Sequence, residues 1–181
     1  MFIRSERLFL RPGWPEDREE LLHLMQHERD MRDEIDCVRA RGCFEDAGEP
    51  LLPRFLVTLP GGAGARVIGG AGFFRLAGEV NLACWIVRDH GGHGYGSEAV
   101  RAVLSLARTL GHGRILASHL PGNAPAARLM EKAGFRPTGR FVECVAAIET
   151  DSGPGRAHEY ELVFGAPSDC DDQPEGRRNA A

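Results

Sequence analysis

Gly91, Gly92, His93, Gly94, Tyr95 and Gly96 place four glycines within six residues, directly ahead of a segment with helical apolar spacing. Glycines there let successive backbone N–H groups turn into one concavity, and a helix starting behind them adds the positive end of its dipole. A phosphate is the natural guest of such a concavity. Glycines also build ordinary tight turns, so spacing must separate the phosphate-binding classes. A P-loop needs Lys and then Ser or Thr directly after its last glycine, whereas Ser97 and Glu98 follow Gly96. A dinucleotide fold needs G-x-G-x-x-G and an acid near the end of the next strand for the ribose hydroxyls. This loop reads G-H-G-Y-G, and RILASHL, residues 114–120, ends without an acid. Nicotinamide and flavin sites are therefore not expected. His90 and His93 have the spacing H-x-x-H, but they sit on a glycine loop with no third ligand in view, and no metal site is expected.

The elements that must carry this loop follow from periodicity. Glu79 to Val87 alternates: Val80, Leu82, Cys84 and Ile86 face one way, and Glu79, Asn81, Ala83 and Trp85 the other, which predicts a strand with one core face and one cleft face. Behind the loop, Val100, Val103, Leu104, Ala107 and Leu110 recur at helical spacing until Gly111. Residues 114–120 read as the next strand. Asn123 then caps a short helix carrying Leu129, Met130 and Ala133, ended by Gly134. Upstream, Leu8 and Leu10 between Arg7 and Arg11 predict a first strand stopped by Pro12, and Pro15, Glu16 and Asp17 open a helix with Leu21, Leu24 and Met25 on its apolar face. A second short helix is expected over Met31 to Val38. Arg54 to Leu59 and Arg66 to Phe74 predict an antiparallel hairpin around PGGAGA. Phe135 to Ile148 and Glu159 to Phe164 predict a last strand pair. Residues 166–181 have almost no apolar content and are expected to form a disordered tail to a single domain of residues 1–165.

Composition bounds the rest. A chain of 181 residues, 43% hydrophobic and 27% charged, has the length and apolar content of one globular domain. Its formal charge of −4 argues against a general clamp on nucleic acid or on an anionic membrane. Arg4, Glu6, Arg7 and Arg11 interrupt any apolar signal core near the start, and no apolar run approaches the roughly 20 residues of a membrane span. Five cysteines, odd in number and without C-x-x-C, fit neither a disulfide framework nor a thiolate zinc site, and a reducing cytoplasm is expected.

The run NLACWIVRDHGGHGYGSEAV, residues 81–100, together with LPGNAPAARLMEKAGFRPTGR, residues 120–140, resembles the GNAT superfamily of N-acetyltransferases, in the branch of the ribosomal-protein N-terminal alanine acetyltransferases (RimJ- and RimL-like). SERLFLRPGWPED, residues 5–17, resembles that branch too, so the likeness runs in order from residue 3 to about 164. It implies an α/β domain: a mixed, mostly antiparallel sheet of six or seven strands, split in a V after the strand at Glu79 and flanked by about four helices. It also implies that acetyl-CoA is the co-substrate and a primary amine the acceptor, either a small molecule or a protein N-terminus, in a monomer or homodimer.

Residue by residue, the resemblance implies that the amides of His93, Gly94, Tyr95, Gly96 and Ser97 cradle the coenzyme A pyrophosphate. Ile86 and Val87 would border the gap that receives pantetheine, the Val87 N–H would meet the acetyl carbonyl as oxyanion donor, and Asn123 would touch the cofactor arm as well as cap its helix. Two departures stand out. Gly91 replaces the side chain with which many relatives contact phosphate, and Met130 replaces the tyrosine that many use to protonate the leaving thiolate. A base must take a proton from the attacking amine. Glu79, on the cleft face of its strand, and His119, with an imidazole that ordinarily titrates near 6.5, are the candidates. Glu98 is explained by the helix dipole alone. Cys84 faces away from Glu79, so direct transfer in a ternary complex is preferred to an acetyl-cysteine intermediate. A non-catalytic acyl-CoA sensor is the alternative, kept open by Gly91 and Met130.

Overall fold

The computed structural model describes residues 1–27, 51–62, 64–143 and 156–165. The expected helix at Met31 to Val38, most of the hairpin tip between Val142 and Arg156, and the tail 166–181 lie outside the described residues. One sheet of eight strands carries the described chain: β1 (Ile3–Arg4), β2 (Phe9–Arg11), β3 (Arg54–Leu59), β4 (Arg66–Leu76), β5 (Glu79–Ile86), β6 (Arg114–His119), β7 (Arg136–Glu143) and β8 (Arg156–Val163). Three α-helices accompany it among the described residues: α1 (Asp17–His27), α2 (Tyr95–Thr109) and α3 (Ala124–Lys132). The spatial order is β1-β2-β3-β4-β5-β6-β8-β7.

The strand count exceeds the expected six or seven because the N-terminal strand is a hairpin. Ser5 donates its backbone N–H to the Leu8 carbonyl, which turns the chain so that Ile3 faces Leu10. The class of fold is as expected, mixed and mostly antiparallel: every neighbouring pair is antiparallel except β5 and β6. That one parallel pair meets at a single register position, Asn81 opposite Leu116. β4 to β6 thus stays closed at the start of β5 and opens toward its end.

The helix stripe read from the sequence packs as expected, with Val100, Val103, Leu104 and Ala107 buried against Ile68, Phe73 and Leu82 on one sheet face. Leu21 of α1 packs with Leu56 and Val67 in a second cluster, and Trp85 of β5 adjoins both this cluster and the main core. Gly111, with φ +81, follows the last turn of α2.

Two acidic side chains tie the N-terminal segment down. Asp17 takes both Arg11 Nη atoms at 2.6 Å and the Trp14 N–H at 2.7 Å. The Arg11 hydrogen bonds, helped by that N–H and opposed by burial, hold its carboxyl below the usual carboxylate value. Glu98 accepts from the Ser5 hydroxyl and the Arg7 backbone N–H, each at 2.7 Å, and from Arg7 Nε at 2.8 Å. Burial pushes its carboxyl up, but these donors together outweigh burial and leave it lowered. Stabilisation from a lowered carboxylate is complete above its unfolded value, about 4, and is lost as pH falls through the folded value. Thermal melts are accordingly expected to lose midpoint temperature below about pH 4, and Glu98→Gln to flatten part of that fall. A variant with the parental acid limb would contradict the role of Glu98.

Candidate acetyl-CoA cleft

Between the diverging ends of β5 and β6 lies a cleft of about 500 Å³. Its walls are Leu82 to Ile86, His90 to Gly92, Gly94 to Ser97 and, across the gap, Ser118, His119, Asn123 and Met130, with His93 outside the lining. Ile86, Gly94, Tyr95, Gly96, Ser97, His119 and Asn123 are thus brought to one place.

The loop has the geometry of an anion cradle. Gly94 is the N-cap of α2 with φ +80, a left-handed conformation natural to glycine, and it offers no side chain to cap the helix. Glu98 N–H bonds back to the Gly94 carbonyl, which leaves the Tyr95, Gly96 and Ser97 amides as the orphan donors of the first turn. Gly96 keeps the wall bare: a Cβ there would stand 3.6 Å from Ile86 and 3.8 Å from Leu129, inside the passage. An anion followed by a slender chain fits this arrangement. The His93 carbonyl accepts from Arg7 Nη1 at 3.0 Å, and its ring stacks on Tyr95 with centroids 5.7 Å apart.

The β5 backbone requires a correction. The β4–β5 register, Gly69 opposite Ile86 and Gly70 opposite Trp85, continues into a 2.9 Å hydrogen bond from the Val87 N–H to the Ile68 carbonyl. Backbone groups of alternate residues in an antiparallel strand point to opposite neighbours. Ala83 and Trp85 therefore share the direction of Val87, toward β4, and the N–H groups of Cys84 and Ile86 point across the gap. Val87 is buried, already donates to β4 and does not line the cleft. Val87 is thus not placed to act as the oxyanion donor expected there, and the β5 amides that face the gap are those of Cys84 and Ile86.

Glu79 is the second correction. It opens β5, opposite Leu76, and its exposed carboxylate pairs with Arg114 at 3.3 Å. Seven residues at about 3.3 Å each put it roughly 23 Å along the strand from Ile86. Glu79 does not line the cleft. His119 does, as the last residue of β6. Its Nδ1 lies 2.8 Å from the Leu120 carbonyl, an acceptor only, so Nδ1 carries the proton and Nε2 presents its lone pair. Nε2 is 3.4 Å from the Tyr160 hydroxyl, and the ring stacks on His158. Tyr160, buried on β8, escaped the sequence reading because only the β6–β8 register, Ala117 opposite Tyr160, sets it beside His119.

Asn123 fills the capping role, accepting from the Ala126 N–H at 2.9 Å, and its residue also lines the cleft. Met130 brings a thioether where a hydroxyl was of interest, so α3 supplies no acid at that position. Trp85 lies over Gly70, where a Cβ would come within 2.5 Å of its Nε1, and adjoins the α1 cluster. Burial pushes the Cys84 thiol up to about 12. A thiol that stays protonated is a poor nucleophile. Cys84→Ala is expected to keep its rate within a few-fold, and intact-mass analysis after acetyl-CoA treatment to find no acetylated protein. A stable +42 Da adduct lost in the variant would contradict this.

The fold is a mixed α/β sheet that opens between its two parallel strands, with an uncapped helix turn at the mouth of the gap. Residues 7–136 match the family model described as the GNAT acetyltransferase domain, and the chain belongs to that family. Over 82 residues it is 33% identical to the N-acetyltransferase YnaD of Bacillus subtilis, a match spanning 44% of this chain and about half, 48%, of that relative. A GNAT-family acetyltransferase from Bacillus anthracis superposes with TM-score 0.72 at 24% identity, covering 90% of this chain and 98% of its own. The RimL ribosomal-protein α-N-acetyltransferase in complex with coenzyme A gives TM-score 0.69 at 11% identity, over 91% and 98% of the two chains. At these identities the two structures speak to the fold. Among the described residues, no helix is long and apolar enough to cross a membrane, and no group of three potential metal ligands occurs.

Proposed function

We propose that the chain transfers an acetyl group from acetyl-CoA to a primary amine by direct attack within a ternary complex. The observation that carries this reading is the continuity of the uncapped Tyr95–Ser97 amides with the β5 edge at Cys84 and Ile86, which lie along one cleft. The first turn of α2 holds the pyrophosphate with its orphan N–H groups and dipole. Pantetheine runs on into the gap between β5 and β6, taking the place of a strand beside β5. The N–H of Cys84 or Ile86 polarises the acetyl carbonyl and stabilises the charge that develops on its oxygen. His119 Nε2 accepts the amine proton, directly or through water, while its Nδ1–H stays on the Leu120 carbonyl. Water protonates the departing thiolate, as Met130 offers no proton.

The acceptor is a protein N-terminus or a small amine. Its recognition is assigned to segments 31–53 and 142–156, and the acids in and just before the first of them, Asp30, Asp33, Glu34 and Asp36, suit a cationic partner. Initial rates with both substrates varied test the mechanism. Intersecting double-reciprocal lines are expected; parallel lines would indicate a covalent acetyl-enzyme and exclude the ternary complex.

A further inference from the structure

We propose that Arg7 is a ligand of the coenzyme A pyrophosphate, a guanidinium brought from the N-terminal hairpin to the rim of the amide cradle. The proposal rests on the cofactor reading above and adds a side chain to a site otherwise built from backbone. Three contacts fix the group: Nε to Glu98 Oε2 at 2.8 Å, Nη1 to the His93 carbonyl at 3.0 Å, and Cζ above the Tyr95 ring at 4.6 Å from its centroid. Nη2 has no acceptor among the described residues. It lies 3.6 Å from the position a Gly94 Cβ would occupy, beside the loop and just outside the cleft walls. The side chain is 43% exposed, so its unused donors face solvent at the loop.

A guanidinium has five N–H donors in a rigid fork, and Glu98 and His93 engage it on the Nε and Nη1 atoms. The rest of the fork is available to a phosphate oxygen, a pairing that charge strengthens. Because three contacts already hold Arg7, little side-chain freedom remains to be lost when the anion arrives. Residues 91–97 contain no Lys or Arg, and Gly91 has no side chain, so the loop brings no cation of its own. Glu98 is therefore more than a first-turn acid: it is the anchor that keeps Arg7 at the loop.

Calorimetric titration of coenzyme A, dephospho-coenzyme A and pantetheine into the parent, Arg7→Met and Arg7→Lys tests this over a range of salt. Arg7→Met is expected to weaken both phosphorylated ligands about ten-fold, the scale of one charged hydrogen bond, to flatten their salt dependence and to leave pantetheine unchanged. Arg7→Lys keeps a charge without the fork and should fall between Met and parent, which also covers a Met variant that folds poorly. Parental coenzyme A affinity in both variants would overturn the proposal. A loss confined to coenzyme A would move the contact to the 3′-phosphate and overturn the pyrophosphate assignment. A loss with unchanged salt dependence, matched by Glu98→Gln, would make Arg7 a brace alone. A parent that binds no coenzyme A removes the cofactor reading itself.

Discussion

Gly94→Val is expected to abolish measurable acetyl-CoA binding while the domain stays folded. Gly94 has φ +80 and ψ 5, and a side chain in the left-handed region costs about 1–2 kcal/mol, with β-branching among the least tolerated cases. The chain can relieve that strain only by rotating the turn, which re-aims the Tyr95, Gly96 and Ser97 amides. A Cβ at this position stands in ordinary contact with Arg7 Nη2, 3.6 Å away, so the added methyls of valine have to be accommodated next to the guanidinium. About 1–2 kcal/mol of strain and about 1.5–3 kcal/mol from a displaced charged hydrogen bond together make a loss of about 10²-fold or more in affinity. The core beneath α2 does not involve Gly94, so the melting midpoint should fall by only a few degrees. Calorimetry with acetyl-CoA and a thermal melt separate the two effects. Parental affinity in this variant would place the pyrophosphate elsewhere.

The second large effect is expected at His119. If its Nε2 takes the amine proton, kcat/KM of the parent should fall on the acid side, where a base is already protonated. His119→Ala should remove that limb and cost about 10²-fold at neutral pH, the usual scale for a positioned base, with acetyl-CoA affinity intact. Glu79→Gln should be near parental, because Glu79 pairs with Arg114 at the closed end of β5. A His119→Ala variant with parental kcat/KM from pH 6 to 9 would mean that the site only positions an already neutral amine against the β5 amides.

Much of this site was legible in local patterns. The glycine loop, the α2 stripe through Val100, Val103 and Leu104, and the Asn123 cap each depend on neighbours within a few residues, and each formed as the spacing implied. Val87 failed for the opposite reason. Which way an amide points depends on strand parity, and that was set by a partner, Ile68, which periodicity in β5 does not reveal. A one-residue shift moves the donor to the other edge. Glu79 failed on distance along the strand: its face was argued from alternation, but the cleft begins only at Leu82. The Arg7–Glu98 pair spans 91 residues in sequence, and Tyr160 reaches His119 only through the β6–β8 register. Ile3 and Arg4 alone are too short to show a period, so the sequence pattern reveals only one strand of the N-terminal hairpin.

The most direct test of acetyl transfer is simultaneous measurement of coenzyme A thiol release and amine mass with acetyl-CoA and a panel of primary amines, small molecules and peptides with free N-termini together. An acetyltransferase should release one thiol for each acetylated amine, at a rate that depends on the amine. Tight acetyl-CoA binding with no thiol release above hydrolysis for any amine would contradict the account and leave an acyl-CoA sensor, the reading that Met130 in place of a hydroxyl favours.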